Sequence, residues 1–163
     1  MHKGSYLEMQ RILYQWPDAA VNLLDVGSYN VNGSYRPIAH TKGWQYTGLD
    51  IVPGKNVDVV SQDPYHYPFK DGEFDIVISG SVMEHVKCIW FWVPELVRLI
   101  RPGGMLAIIT HTQWTYHPHP VDCWRIMPDG MRLLFDLTGK LEKYDIRMFC
   151  DTDISGVAWK VNE

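Results

Sequence analysis

Residues 20–27 read AVNLLDVG, an apolar run that ends at a glycine. This pattern is typical of a strand buried in a sheet. Residues 44–50, 57–60, 74–79 and 105–110 read as four further strands, and segments with helical spacing or turn residues separate them. Apolar strands that alternate with helices indicate a mostly parallel sheet with helices on both faces. The sequence therefore predicts a Rossmann-like α/β fold.

Helix signals surround this core. Ser5 and Glu8 have the spacing of a capping box, which predicts a helix from Ser5 to about Trp16. A short helix is expected over residues 34–40. Apolar residues at positions 93, 96, 97 and 100 share one helical face, and the Arg-Pro-Gly-Gly of residues 101–104 should end that helix.

The last third of the chain completes the predicted architecture. A helix is expected from Pro128 to Gly139. Residues 141–149 and 154–161 read as two strands with no helix between them, which suggests an antiparallel pair at the edge of the sheet. The carboxyl ends of the parallel strands are where such sheets bind ligands.

The length and the net charge of the chain limit the classes of function that it can have. A chain of 163 residues is expected to form a single domain over residues 1–163, without a separate lid domain. Its net charge of −4 and its lack of a basic run argue against nucleic-acid binding. We expect no membrane span. Its three cysteines form neither a CxxC pair nor an even disulfide framework, so we expect a cytoplasmic protein.

Two residues point to a nucleoside-containing cofactor. Gly27 ends the first strand, and Asp50 ends the second strand 23 residues later. A glycine permits close approach of the backbone to a nucleotide, and a carboxylate at the next strand tip can accept both ribose hydroxyls. Dinucleotides and S-adenosylmethionine (SAM) both use this arrangement. A turn glycine with a solvated aspartate is the structural alternative.

Three ordered motifs separate these cofactors. They are PFKDGEFDIVIS at residues 68–79, MEHV at residues 83–86 and LIRPGG at residues 99–104. Together they resemble the class I SAM-dependent methyltransferases, over roughly residues 20–139. The resemblance implies a seven-stranded sheet of order 3-2-1-4-5-7-6 and SAM as the cofactor.

The resemblance also implies which residues hold SAM. Gly27 and Ser28 would hold the methionine end, Asp50 the ribose and Asp63 the adenine amino group, with Ser79 below the sulfonium. The expected cofactor contacts in full are Gly27, Ser28, Tyr29, Asn32, Asp50, Ile51, Asp63, Pro64, Ser79 and Ser81. In this family the residues at Glu84 and His85 begin a helix and are structural.

The loop after the first strand departs from the family pattern. The usual form is GxGxG, but here only Gly27 and Gly33 are glycines, and Tyr29 stands where a second glycine is expected. We expect a wider path with Asn30 or Asn32 at positive φ, because asparagine tolerates that region. Weaker SAM binding is the alternative.

The segment after the fifth strand is the candidate acceptor site. Residues 111–125 are rich in histidine and aromatic residues and should cover the cofactor crevice. Histidine is suited to accept a proton from a hydroxyl acceptor near neutral pH. We expect His117 to be the base and His111 the next candidate, with Asp122 orienting a histidine or pairing with Arg125. The segment resembles methyltransferases of saccharide synthesis, which implies a small-molecule acceptor, such as a saccharide hydroxyl.

Structural and metal-binding explanations compete for this segment. A rigid surface loop pinned by Asp122 and Arg125 would explain the same residues. A metal site is conceivable from imidazole, carboxylate and thiolate groups, namely His111, His117, His119, Asp122 and Cys123. Without an HExxH or CxxC spacing, we expect no metal.

The expected function is methyl transfer from SAM to a small-molecule acceptor. A catalytically degenerate SAM-binding module, an NAD-dependent oxidoreductase and a metal-dependent hydrolase are the alternatives. The oxidoreductase would lack a full GxGxxG motif. The aromatic run Ile89–Trp92 is a candidate contact of a homo-oligomer, where tryptophan and phenylalanine are enriched.

Overall fold

The computed structural model describes residues 2–17 and 19–162. Met1, Asp18 and Glu163, which the predicted domain of residues 1–163 includes, lie outside the described residues. The strands are β1 (Asn22–Val26), β2 (Gln45–Asp50), β3 (Val59–Val60), β4 (Phe74–Gly80), β5 (Ile100–His111), β6 (Leu141–Phe149) and β7 (Asp153–Lys160). The helices are α1 (Lys3–Leu13), α2 (Arg36–Thr41), α3 (Ile89–Leu99) and α4 (Pro128–Asp136), with a short 3₁₀ helix over Met83–His85.

All seven of these strands form one sheet. Its order is β3-β2-β1-β4-β5-β7-β6. The pairs from β3 through β5 are parallel, whereas β7 pairs antiparallel with both β5 and β6. The predicted strand order and the antiparallel edge are therefore confirmed.

The sheet is covered on both faces, as its apolar strands require. One core cluster contains Trp92 and Leu96 of α3 and Phe135 of α4. The other contains Met9 of α1 and Ile38 of α2. Burying a side chain of this size stabilises the fold by roughly 1.5–3 kcal/mol relative to leaving it in water. None of the helices in the described residues is long and apolar enough to cross a bilayer.

The predicted capping box is wrong. Helix α1 begins at Lys3 after His2, so Ser5 lies inside it and is buried. Its hydroxyl donates to Asp153 Oδ2 at 3.3 Å. Glu8 accepts from Arg11 and from Ser155. Both side chains of the supposed cap thus contact residues of β7 and do not cap the helix.

The Arg-Pro-Gly-Gly segment follows the end of helix α3, as predicted, but it belongs to a strand. Helix α3 ends at Leu99, and residues 100–104 already belong to β5, with Gly103 at φ +72°. Ile100, expected on the helix, pairs with Phe74 of β4 in a register that shifts before Ile76. A register irregularity accommodates the glycines, so the chain passes from helix to strand without a loop.

Candidate active site

The loop after β1 meets β2 at the carboxyl edge of the sheet. Gly27 adopts φ +82°, and a Cβ there would lie 2.0 Å from Cγ2 of Val82. The N–H groups of Gly27 and Ser28 both donate to the carbonyl of Leu49, at 2.8 and 3.0 Å. Only glycine fits this combination of positive φ and close packing. At Gly27 the chain therefore makes a tight bend above the carboxyl ends of the strands.

Asp50 lies at the tip of β2 and faces this loop. Its Oδ2 accepts the N–H of Tyr29 at 2.9 Å, and its Oδ1 accepts the N–H of Ile51 at 2.7 Å. A carboxylate has about four lone-pair sites. Oδ1 also accepts the N–H of Val52 at 3.4 Å, so the half-buried carboxylate keeps capacity for a further donor mainly at Oδ2, which fits a ribose hydroxyl.

The two asparagines of the loop do not adopt positive φ, so that prediction is wrong. In the loop from Gly27 to Gly33, only these two glycines have positive φ among the described residues. Asn30 instead uses its Oδ1 to accept the N–H of Gly33 at 2.9 Å, and its own N–H donates to Lys55. Asn32 is exposed. The loop widens through a side-chain turn and through contact with residues 54–56.

Tyr29, in place of the missing glycine, packs on the neighbouring loop. A Cβ at Gly54 would lie 2.3 Å from Cε2 of Tyr29, so the ring requires the glycine. The Tyr29 side chain is 45% exposed and Ile51 is 42% exposed. Both side chains flank the tip of β2 and are accessible to a ligand there.

Asp63 and Pro64 lie on the loop after β3. Asp63 is exposed, and its Oδ1 accepts the N–H of Tyr65 at 2.8 Å. The carboxylate therefore retains an oxygen for a further donor, such as an amino group. Pro64 is half-buried beside it.

Two of the three serines predicted to contact the cofactor are buried, and their hydroxyls form hydrogen bonds within the protein. Ser79 is fully buried, and its hydroxyl donates to the carbonyl of Val26 at 2.7 Å. Ser28 is buried and donates to the carbonyl of Asn56. Ser81 is half-buried, with φ +57°. The hydroxyls of Ser79 and Ser28 thus tie the strand ends together, and their protons are already donated within the fold.

A polar network that the sequence analysis did not single out lies behind the loop. Arg36 donates to Asn56 at 2.6 Å and to Asp58 at 2.5 Å. Asn56 in turn donates to the hydroxyl of Tyr46, which donates to Asp25 at 2.5 Å. These residues are scattered over α2, β1, β2 and a loop, so no sequence spacing marks them.

Asp25 is the buried end of this network. Burial raises its pKa to about 7; the hydrogen bond from Tyr46 opposes this shift, whereas the nearby charge of Asp50 adds to it. A cavity of about 380 Å³ opens at the other end, lined by Asn30, Arg36, Lys55, Asn56, Val57 and Asp58. This cavity lies beside the predicted cofactor residues and contains none of them.

The segment after β5 folds back over the 3₁₀ helix. The N–H of Cys123 donates to the carbonyl of Glu84 at 2.7 Å, and that of Ile126 donates to His111 at 2.9 Å. Trp124 donates its indole N–H to Val86. Trp114 and Tyr116 remain exposed, at 45% and 77%. The segment is anchored at several points and presents aromatic rings to solvent.

Asp122 and Arg125 form the central ion pair of this segment. Arg125 holds both carboxylate oxygens, at 2.6 and 2.8 Å, and the hydrogen bond keeps the pKa of Asp122 well below its ordinary value. Asp122 Oδ2 also accepts the backbone N–H of His117 at 2.9 Å and lies 3.2 Å from its Nδ1. Asp122 therefore pairs with Arg125 and also contacts His117.

His111 and His117 are placed differently. His111 is buried, and its Nδ1 lies 2.7 Å from Asp153 Oδ1. The His117 side chain is 25% exposed, and its ring is 5.0 Å from that of His85. Glu84 and His85, expected to begin a helix, instead form the 3₁₀ helix next to these rings. Three groups, Glu84, His85 and His117, have potential ligand atoms within 4.8 Å of one another.

This cluster differs from the metal set considered from the sequence. Asp122 is already engaged by Arg125, and the Cys123 thiol is free and exposed. The participation of Glu84 and His85 could not be read from spacing, because a 3₁₀ helix and a distant loop bring them to His117.

The sequence is similar to known methyltransferases. A profile of the family described as "Methyltransferase domain" matches residues 24–108, just over half of the chain. An uncharacterized methyltransferase of Mycobacterium sp. (strain JLS) is 47% identical over 101 residues, which is 56% of this chain and 39% of that protein. The 2-methyl-6-phytyl-1,4-hydroquinone methyltransferase of Synechocystis is 30% identical over 126 residues, 70% of this chain and 39% of that protein. The chain thus spans about two fifths of the length of these curated relatives.

Solved structures share the fold. A SAM-dependent methyltransferase from Aquifex aeolicus aligns with a TM-score of 0.72 and 18% identity, covering 93% of this chain and 89% of that chain. The 1,6-didemethyltoxoflavin-N1-methyltransferase of Burkholderia thailandensis, solved with bound 1,6-didemethyltoxoflavin and S-adenosylhomocysteine, aligns with a TM-score of 0.75 and 13% identity, covering 96% of this chain and 78% of that chain. The chain therefore belongs to the methyltransferase domain family, and the resemblance to class I SAM-dependent methyltransferases that its motifs indicate is confirmed.

Proposed function

We propose that this protein transfers a methyl group from SAM to a small-molecule acceptor. The observation that carries the proposal is the pairing of Asp50 with the Gly27–Tyr29 turn, which puts a partly free carboxylate next to a tightly bent backbone. Family membership supports the same reaction. When bound, SAM supplies a methyl group on a positively charged sulfur.

The cofactor site follows from the free hydrogen-bonding capacity of the strand tips. Asp50 accepts the ribose hydroxyls, and the exposed carboxylate of Asp63 accepts the adenine amino group. Gly27 and Ser28 hold the methionine end through their backbone, while Tyr29, Asn32, Ile51 and Pro64 flank the nucleoside. Ser79 and Ser81 form the floor below the methyl group.

The acceptor site is formed by the anchored segment that contains His117. Transfer needs the acceptor atom, the methyl carbon and the sulfur in line, and such alignment contributes several kcal/mol to lowering the barrier. His117 is partly exposed and takes the proton of a hydroxyl acceptor. Asp122 and Arg125 position it, and His111 lies behind it. Trp114 and Tyr116 offer flat apolar faces that suit a saccharide ring.

A second copy of the chain could cover the exposed part of α3. Trp90 and Phe91 are 45% and 61% exposed, whereas Ile89 and Trp92 of the same run are buried. We propose that Trp90 and Phe91 contribute to a homo-oligomer contact, which sedimentation of a Phe91→Ser variant would test.

The three free thiols of the chain fit a reducing, cytoplasmic setting.

The function is tested by ligand binding followed by transfer. Purified protein is titrated with SAM, S-adenosylhomocysteine and NAD, and its melting temperature is recorded. Stabilisation by both adenosyl ligands and not by NAD is expected. Transfer of tritium from methyl-labelled SAM to a panel of saccharides and phenols then separates an enzyme from a SAM-binding module. Stabilisation by NAD alone would contradict the proposal.

A further inference from the structure

Glu84 carries a buried carboxylate oxygen that lacks a hydrogen-bond partner. The side chain is fully buried, and its Oε2 accepts the hydroxyl of Thr110 at 2.8 Å. Its Oε1 receives no hydrogen bond. Leaving a charged acceptor unsatisfied in the interior costs more than leaving a neutral one. Whatever lies in front of Oε1 should therefore be a cation or an N–H donor.

The groups in front of Oε1 are imidazole nitrogens. The Nε2 atoms of His111 and His85 lie 3.3 and 4.0 Å from it. The ring of His117 is 5.0 Å from that of His85 and 5.9 Å from that of His111, measured between centroids. Three histidines thus surround one orphan carboxylate oxygen.

The outer hydrogen bonds of these histidines set their tautomers. His85 Nδ1 lies 2.6 Å from the carbonyl of Val121, and His117 Nδ1 lies 2.8 Å from the carbonyl of Thr115. A carbonyl oxygen can only accept, so each Nδ1 carries the proton and donates. In a neutral imidazole the other nitrogen, Nε2, then carries a lone pair. A neutral His85 therefore has a lone pair on Nε2, 4.0 Å from the carboxylate oxygen, and a cation between the two would satisfy both.

Metal-binding histidines show this same outer pattern. A histidine ligand almost always donates its second N–H to a backbone carbonyl or a carboxylate, which fixes the ring and its tautomer. His85 and His117 both donate to carbonyls, and His117 also lies near Asp122. Two histidines and one glutamate are the protein ligands of a familiar class of zinc site that keeps its fourth position open.

We propose that Glu84, His85 and His117 bind one divalent transition-metal ion of the zinc class. Their ligand atoms already lie within 4.8 Å of one another, and modest side-chain rotation brings them to the distances of about 2.0–2.2 Å that zinc prefers. His117 is partly exposed, so the ion has a path from solvent. The site needs no methyl transfer to exist. With the ion bound, His117 would be a ligand instead of the base of the proposed reaction, and the ion would lower the pKa of an acceptor hydroxyl, whose proton would then leave to water.

The test is direct metal binding by chelator-treated protein. Calorimetric titration with zinc chloride is expected to show one ion per chain, and cobalt chloride is expected to produce the visible absorption of a low-coordinate site. Glu84→Gln keeps an acceptor for Thr110 and gives the histidine lone pairs an N–H donor, so it should fold with a melting temperature no lower than that of the metal-free parent. Its zinc affinity should fall by about a hundredfold or more. His117→Ala should lose affinity similarly.

Two histidine variants serve as matched controls. His119→Ala lies on the same loop, with its ring 6.2 Å from that of His117, but it is outside the proposed ligand set. His40→Ala removes an exposed imidazole on α2. Both should bind zinc as the parent does. Wild-type protein that binds neither zinc nor cobalt would overturn the proposal, since a proton would then satisfy Oε1. Unchanged binding by Glu84→Gln and His117→Ala would overturn it too.

Discussion

Asp50 Oδ2 accepts the backbone N–H of Tyr29 at 2.9 Å, so the carboxylate that ends β2 also holds the loop that follows β1. The same carboxylate is the proposed ribose acceptor. One side chain therefore has two tasks, ordering the loop and binding the cofactor, and the two can be separated experimentally.

Replacing Asp50 with alanine should weaken S-adenosylhomocysteine binding by about tenfold to a hundredfold, because it removes charge-assisted hydrogen bonds of about 1.5–3 kcal/mol. Asp50→Asn keeps one acceptor for Tyr29 and should lie between the parent and the alanine variant. Calorimetry measures all three affinities. Asp129→Asn, an exposed change in the first turn of α4, is the control and should bind normally. Unchanged affinity in Asp50→Ala would contradict the placement of the ribose.

Gly27 and Gly43 form a matched pair for testing the tight turn. Both adopt positive φ, +82° and +70°, but a Cβ at Gly27 would meet Val82 whereas a Cβ at Gly43 would meet nothing within 4 Å. Gly43→Ala should lower the free energy of unfolding only by the backbone strain, about 1–2 kcal/mol. Gly27→Ala should lose a further 1–3 kcal/mol or so through overpacking.

Urea denaturation of the two glycine variants measures the difference in the free energy of unfolding. S-adenosylhomocysteine affinity should fall in Gly27→Ala and stay unchanged in Gly43→Ala, since only the first displaces the loop of the proposed site. Equal destabilisation of the two variants would show that overpacking against Val82 does not contribute to the free energy of unfolding.

Most of the fold could be predicted because it depends on local patterns. Apolar strands ending at Gly27 and Asp50 mark a parallel sheet, and the ordered motifs imply its strand order. The errors at Ser5 and at residues 101–104 share one cause. Contacts with β7 replace the local cap at Ser5, and pairing with β4 begins the strand at Ile100, earlier than predicted. Tertiary contacts of this kind cannot be predicted from the spacing of residues along the chain.

The candidate site was predictable only in part. Asp50 and Gly27 occupy positions that follow from strand ends, which the sequence indicates well. The association of Glu84 with His85 and His117 depends on a fold-back of residues 112–127 over the 3₁₀ helix, and Asp25 depends on burial. Neither arises from spacing along the chain.

His117→Ala should lower turnover while leaving the affinity for S-adenosylhomocysteine within about twofold. General base catalysis contributes typically 10²–10⁴-fold, so a loss of about a hundredfold in kcat is expected. Steady-state tritium transfer gives kcat, and calorimetry gives the affinity. His66→Ala, an exposed histidine outside the segment, is the control. Full turnover in His117→Ala would make the segment a scaffold only.

Asp25 makes the stability of the fold depend on pH. Its pKa is raised from 3.8 to about 7 by burial, so the folded state binds a proton that the unfolded state has released between these two values. The free energy of unfolding should therefore decrease as the pH rises from about 4 to about 7, and this penalty should be complete above pH 7. The sign is opposite to that of a salt-bridged aspartate.

Asp25→Asn removes this titration and keeps a carbonyl oxygen to accept the hydrogen bond of Tyr46. The variant should match the parent near pH 4 and exceed it in stability at pH 8, by a few kcal/mol since one pKa unit corresponds to about 1.4 kcal/mol. Urea denaturation at both pH values measures this gain. A stability difference that stays constant between pH 4 and pH 8 would mean that Asp25 is charged in the folded protein and that Arg36, through Asn56 and Tyr46, compensates its burial.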